Sequence, residues 1–461
     1  MDRRHFLKGS ALAAGAAMAG SSRPARADVY GELVADPDGL LDLPEGFSYV
    51  IVERVGETMS DGFRVPAGPD GMACFALEDG TLALLRNHEL DEDDLDRSAF
   101  ADGVAEPEET YAAGVYGGVS RVIVDPASGA RMSSNLVLTG TKKNCAGGPS
   151  PWGWLSCEEN TDPGHGYVFV CPQDAAQVRA PEKIASYGRF RHEAVAVDPK
   201  TCVAYLTEDQ DPSAIYRFVP DDVSEPFVGQ LQALVVSGEE NLALTADLSV
   251  GDTLPIEWTD LDDPEPPIDT LRFTAWRQGA ASLRRGEGAW FADGVVYLVS
   301  TNGGPIGGGQ IFALRPDEGS LELIAQSEDL SVLSNPDNIT VSPWGQVFIA
   351  EDTDGTCYLR AIDADGQVVP FARNAASTSE FAGVCFSPDG RWMFVNSQGD
   401  GITYAITGSF PEVQADAPSS SVESAAAGCH QIPARAGATA TLIAALGMIW
   451  IRRVNDASDL G

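Results

Sequence analysis

Basic residues are scarce in this chain. Its 461 residues include 30 Lys and Arg against 68 Asp and Glu, a formal net charge of -38. A protein that grips nucleic acid neutralises phosphates with a basic footprint, so no nucleic-acid partner is expected. The same deficit makes an anionic substrate awkward unless bound cations reverse the local field. The eight cysteines contain no CxxC pair, which removes zinc ribbons and thioredoxin-like chemistry. Nor do they show the tight spacing of a small disulfide scaffold, and no pairing is assigned. There is no GxSxG elbow and no P-loop, so serine-hydrolase and nucleotidase readings lack their markers. The glycines at Gly303-Gly304 and Gly307 to Gly309 fit a flexible loop better than a phosphate cradle. The acidic run Asp91 to Asp96 lacks the glycine and terminal glutamate of an EF-hand and reads as a solvated loop.

What is present is turn chemistry: 48 glycines and 29 prolines, with an apolar fraction of 44% that excludes general disorder. One unit recurs along the chain, an apolar alternating strand, a Pro or Gly turn, then a second strand with a polar end. It reads through Val122 to Gly129, Ala194 to Asp209, Trp290 to Thr301, Ile339 to Asp352 and Val384 to Gln398. Period-2 alternation bounded by Asp-Gly and Pro turns predicts hairpins. The turns at Asp293, Pro343 and Pro388 are 50 and 45 residues apart, the spacing of four-stranded propeller blades. The expected fold is therefore all-β, a β-propeller with loop insertions at 86–116 and 221–282. The polar strand ends Glu208-Asp209, Thr301-Asn302, Glu351-Asp352 and Asn396-Ser397-Gln398 would then lie on one face and could ring one mouth of the channel. Solvated turns would also explain polar strand ends.

The stretch Asn144 to Asn160, NCAGGPSPWGWLSCEEN, places a thiol and two adjacent carboxylates about a dozen residues apart, joined by turns. Carboxylate oxygens with a thiolate suit iron or zinc, and the oxygens alone suit calcium. A buried Cys beside a solvated Glu pair is the alternative. His-Glu occurs twice beside an inferred strand, in Asn87-His88-Glu89 and Arg191-His192-Glu193, which points to a shared site. In Arg285-Gly286-Glu287, residues two apart on an extended backbone share a face. Glu287 could bind metal while Arg285 meets an anion, or the two could form a surface ion pair.

The ends of the chain read as addresses. Arg3-Arg4-His5-Phe6-Leu7-Lys8, a weakly apolar stretch and Ala25-Arg26-Ala27 resemble a twin-arginine export signal over 1–27. Cleavage there starts the mature chain at Asp28, with a propeller domain over 28–414. Residues 415–428 are rich in Ala, Ser and Pro and read as a linker. In 429–461, Cys429 precedes an apolar run from Ala436 to Ile451 and the pair Arg452-Arg453. That order resembles the C-terminal sorting tails of myxobacterial surface proteins. A plain membrane anchor is the alternative, and either would hold the protein at an envelope surface.

Taken together, these motifs resemble the PhoX family of secreted alkaline phosphatases, over about Leu43 to Thr407. The resemblance rests on Asn87-His88-Glu89, the Cys145 to Glu159 block, Arg189-Phe-Arg-His192-Glu193 and Tyr205-Leu-Thr-Glu208-Asp209. It continues in Arg285-Gly-Glu287-Gly288, Asn335-Pro-Asp337-Asn338 and Phe386-Ser-Pro-Asp389-Gly390. It implies a six-bladed propeller whose central site combines Fe3+ and Ca2+ and cleaves phosphomonoesters. By motif, Cys145 would be the iron-binding thiolate. Glu89, Glu159, Glu193 and Glu287 would be carboxylate ligands, joined by Glu158, Glu208 and Asp209, and Arg285 would hold the substrate phosphate. The expected partners are a small phosphomonoester and the twin-arginine export machinery, with the membrane reached through the tail, and the expected state is a monomer. Ser150 stands where the family usually has Thr, and Pro-Trp-Gly-Trp is one residue shorter than usual. A non-catalytic calcium-binding surface propeller and a propeller lactonase or esterase remain as competing readings.

Overall fold

The computed structural model describes residues 30–413 apart from residue 246. The export-signal region 1–27, the linker 415–428 and the tail 429–461 lie outside the described residues. Among the described residues no helix is long and apolar enough to cross a membrane. Their α-helix is the single short segment Leu271–Arg277, and nearly everything else regular is antiparallel strand. The period-2 alternation and the Asp-Gly, Pro-Trp-Gly and Pro-Asp-Gly turns dictate this. At Asp293-Gly294, for example, both residues have positive φ (50° and 82°) and Ala292 pairs with Val295. That is a two-residue hairpin whose twist matches its strands.

The strands form five hydrogen-bonded sheets, three of four strands, one of six and one of nine, in a propeller arrangement. The nine-stranded sheet consists of two four-strand runs stapled by Thr253–Asp260, which pairs with Gly229–Val236 on one side and Ser320–Gln326 on the other. This strand and the helix Leu271–Arg277 occupy the 221–282 insertion. The six-stranded sheet is a four-strand run extended by Leu33–Val34 and Leu41–Pro44. Ring closure joins the two ends of the domain: Ser48–Arg54 pairs with Ile402–Thr407. Buried Arg86 reinforces the joint by reaching across to Glu53 at 2.5 Å and to Thr403.

The innermost strands are Pro69–Ala76, Asn144–Ser150, His192–Val197, Gly286–Ala292, Pro336–Val341 and Phe381–Phe386. Each packs against the next, and the last packs against the first. Apolar faces between neighbouring sheets form the core, for example Phe348, Phe371, Phe381 and Phe386 in one cluster and Leu155, Phe190, Tyr216 and Phe218 in another. Near the axis the backbones touch. A Cβ on Gly71 would lie 2.5 Å from the Ala146 Cα, and one on Gly383 would lie 2.3 Å from the Asp70 carbonyl oxygen. These glycines, with Ala146, Ala194 and Gly288, bring the inner strands together and close the floor of the central mouth.

Candidate metal and phosphate site

The same local geometry recurs at the start of every inner strand. The first residue pairs with the last residue of the next strand: Pro69 with His88, Asn144 with Glu158, His192 with Glu208, Gly286 with Ser300, Pro336 with Glu351 and Phe381 with Ser397. The register then slips in each case, which is a β-bulge. A bulge bends the strand and re-aims the residue within it. That second residue is Asp70, Cys145, Glu193, Glu287 and Asp337 in the first five strands; in the sixth the slip comes one residue later, after Ala382 pairs with Asn396. Five of the equivalent positions thus carry a metal-ligating side chain. Ligand atoms of Glu193, Glu287 and Asp337 all lie within 4.8 Å of one another.

A second tier follows from alternation. Adjacent residues of a strand point to opposite faces. Where the last residue of the second strand turns back into the sheet stack, the following residue faces the mouth. The following residues are Glu89, Glu159, Asp209, Thr301, Asp352 and Gln398. Each anchors its own N–H on the carbonyl of the residue that precedes an inner strand, respectively Gly68, Lys143, Arg191, Arg285, Asn335 and Glu380, at 2.8–3.2 Å. Gln398 ties the tiers together, donating from Nε2 to Asp70 Oδ2 (2.8 Å) and Glu89 Oε2 (3.1 Å).

The structure therefore separates the adjacent carboxylates. Glu158 is buried away from the mouth, where it accepts bonds from the Lys142 and Gly166 N–H groups (both 2.9 Å) and contacts His165 Nδ1 at 2.6 Å. Glu208 is buried too, accepting from Tyr216 Oη (2.8 Å) and Arg272 Nη1 (3.1 Å). Neither lies among the mouth groups whose charges act on one another, whereas Glu89, Cys145, Glu159, Glu193, Asp209 and Glu287 do. The imidazoles also face inward. His88 lies between Ala67 O and Ser120 Oγ, and His192 Nε2 meets Gly188 O while its ring stacks on Phe190. Burial lowers the His88 pKa well below its usual value and that of His192 to about 3, so both rings are neutral. The His-Glu dipeptides are not His-Glu pairs in space.

Asp70 and Glu380 also stand among these groups, yet neither stands out in the sequence, and Asp337 does so only within Asn335-Pro-Asp337-Asn338. The available signal was repetition: Gly68-Pro69-Asp70 and Asn335-Pro336-Asp337 put a Pro-Asp pair at the same place in two inner strands.

Burial and mutual repulsion dominate the electrostatics. Burial, then the Glu89, Asp337 and Glu380 charges, push Asp70 well above the carboxylate range. Glu193 is raised by burial and by Asp337, Asp70 and Glu159, and Glu287 by burial and by Glu193 and Asp209. Burial and the same neighbours hold the Cys145 thiol up, and its Sγ donates to His192 O at 3.2 Å. Glu159 and Asp337 are pushed up to about 7, and Glu380, facing Asp352, to about 10. Arg285 answers part of this charge. Its Nε and Nη2 grip Asp209 at 2.8 and 3.1 Å, and Nη2 meets Glu287 at 2.8 Å. Crowded carboxylates with one thiol and too few cations are a donor set for hard and borderline metal ions, whose charge would reverse every one of these shifts.

The profile of the family described as Alkaline phosphatase PhoX matches residues 29–135 and 125–401. The chain belongs to the PhoX alkaline phosphatase family. Pseudomonas fluorescens PhoX, solved with vanadate as a transition-state analogue, has a similar fold: TM-score 0.63 at 18% identity, covering 80% of this chain and 96% of that one. A Xanthomonas campestris gluconolactonase matches with TM-score 0.37 at 14% identity, covering 78% of this chain and 97% of that one. Among curated proteins no sequence matches the chain.

Proposed function

We propose that this chain is an exported phosphomonoesterase that works at an iron and calcium cluster in the mouth of a six-bladed propeller. Counting the nine-stranded sheet as two stapled blades and the six-stranded sheet as one extended blade gives six, one per inner strand. The observation that carries the reading is the set of donors at equivalent bulge positions, Asp70, Cys145, Glu193, Glu287 and Asp337, beside an arginine already oriented by two carboxylates.

In this reading Cys145, with Glu193 and Glu159 close by, would hold iron, and the remaining carboxylates, including Glu89, Asp209 and Glu287, would hold calcium. When bound, Fe3+ and Ca2+ supply the positive charge and Lewis acidity that a phosphate dianion needs at so acidic a mouth. Arg285 offers fork-shaped donors to phosphate oxygens, and Asp209 fixes the plane of that fork. Water forms the new P–O bond, the ester P–O bond breaks, and the alcohol leaves with a proton. Cys145 is not the nucleophile, because burial and neighbouring carboxylates keep its thiol protonated until a metal takes it. A twin-arginine route would export the folded protein, cleavage would leave Asp28 first, and the tail would hold the monomer at the envelope.

The test is p-nitrophenyl phosphate hydrolysis by protein prepared with iron and calcium, beside Glu287→Gln. The wild type should release phosphate and the variant should lose most of that rate. Equal rates would remove Glu287 from the site, and no hydrolysis by either would remove the reading.

A further inference from the structure

Resting on that reading, we infer that Lys143 and Arg191 extend Arg285 into a three-cation arc that binds a second anionic group on the substrate, away from the phosphoryl group itself. The residues that precede the inner strands are structurally equivalent, because each offers its carbonyl to the N–H of a mouth residue. In chain order they are Gly68, Lys143, Arg191, Arg285, Asn335 and Glu380. Three consecutive positions are cationic, and the other three carry no positive charge. Each cation faces the mouth carboxylate that the preceding hairpin supplies: Lys143 with Glu89, Arg191 with Glu159, Arg285 with Asp209. The opposite side of the rim places a carboxyl group at the same position, Glu380 beside Asp352.

The three pairs differ in how firmly they hold. Arg285 is clamped at 2.8 Å by both Asp209 and Glu287. Arg191 is 3.4 Å from Glu159, and Lys143 is 4.0 Å from Glu89, with their side chains 44% and 42% exposed. Contacts this long in solvent contribute little, so these two charges are available to a ligand. Lys142 is by contrast tied at 2.5 Å to both Glu92 and Asp162. Lys143 is also held in the left-handed region, φ 50°, as are Arg285 at 52° and Asn335 at 46°. That backbone is costly for a residue with a Cβ, and the rim geometry imposes it. A phosphoryl group on Arg285 would leave the alcohol portion to lie along the cationic side, since Gly68, Asn335 and Glu380 offer an anion no cation on the other. The favoured substrates are phosphomonoesters whose leaving group carries a carboxylate or a second phosphate.

The test compares kcat/KM for 2-phosphoglycerate and glycerol 2-phosphate, two esters that differ at one carboxylate. The wild type should favour 2-phosphoglycerate. In Lys143→Asn, where asparagine tolerates the left-handed backbone, and in Arg191→Gln, both esters should weaken. The ratio between them should fall by about tenfold, mainly through KM, as loss of a charge-assisted contact predicts. Lys143→Arg should restore the ratio. Equal losses on both esters would mean that these cations only offset the mouth carboxylates, and would overturn this inference alone. A wild type that cleaves neither ester would overturn the phosphatase reading together with it.

Discussion

Removing metal should make this protein's stability fall as pH rises. In the metal-free state Glu159 and Asp337 titrate near 7, against ordinary values of 4.5 and 3.8, and Glu380 near 10. A carboxyl whose folded pKa is raised stabilises fully below its unfolded pKa, and that stability is lost as pH climbs through the folded value. For Glu159 alone the rise from 4.5 to about 7 corresponds to roughly 3 kcal/mol. Spread over a domain of this size, that is a fall in Tm of about 4 °C. Asp337 acts in the same direction over the same window, although the two carboxyls interact and their losses do not simply add. Thermal unfolding from pH 5 to 9, once in chelator and once in excess calcium, measures the effect. The chelated curve should drop by at least about 4 °C more than the calcium curve, which keeps only the fall shared with groups outside the mouth. The difference between curves isolates the mouth, because Glu208, also pushed up to about 7, is bound to Arg272 elsewhere and titrates in both. Parallel curves would refute the argument that cations relieve this crowding.

Other changes separate the roles assigned to individual residues. Cys145→Ser should strip iron while calcium remains, read by elemental analysis, because a hydroxyl does not replace a thiolate for iron. Glu158→Gln should leave metal content unchanged but lower stability by about 1–3 kcal/mol in denaturant titration, since it weakens bonds to His165 and two backbone N–H groups. Gly383→Ala should cost upwards of about 2 kcal/mol in the same titration. Its φ is 64°, and the added Cβ would meet the Asp70 carbonyl at 2.3 Å, a backbone atom that cannot swing aside.

Much of this site could be read from the chain because strand alternation and turn residues are local signals. The hairpins ending at Asp209, Asp352 and Gln398 stand where alternation puts them, and Cys145, Glu159 and Glu287 sit in recognisable blocks. What composition could not reveal was facing. Glu158 and Glu159 are chemically identical neighbours, and only the pairing of Asn144 with Glu158 decides that the first points into the sheet stack. The same register turns Glu208 inward and Asp209 outward. Asp70 was hidden differently, because its aim depends on a bulge created by pairing across to residues near His88. Bulges are tertiary in origin and leave no composition signature beyond the Pro-Asp repeat.

The central claim is that the mouth is a metal cluster that hydrolyses phosphomonoesters. The most direct test is iron and calcium content per protein chain, determined on the same preparation that is assayed for phosphate release from p-nitrophenyl phosphate. The account predicts both metals together, with phosphate release lost on chelation and regained when both are restored. Calcium without iron in a preparation grown and refolded with ample iron, and no phosphate release, would contradict it.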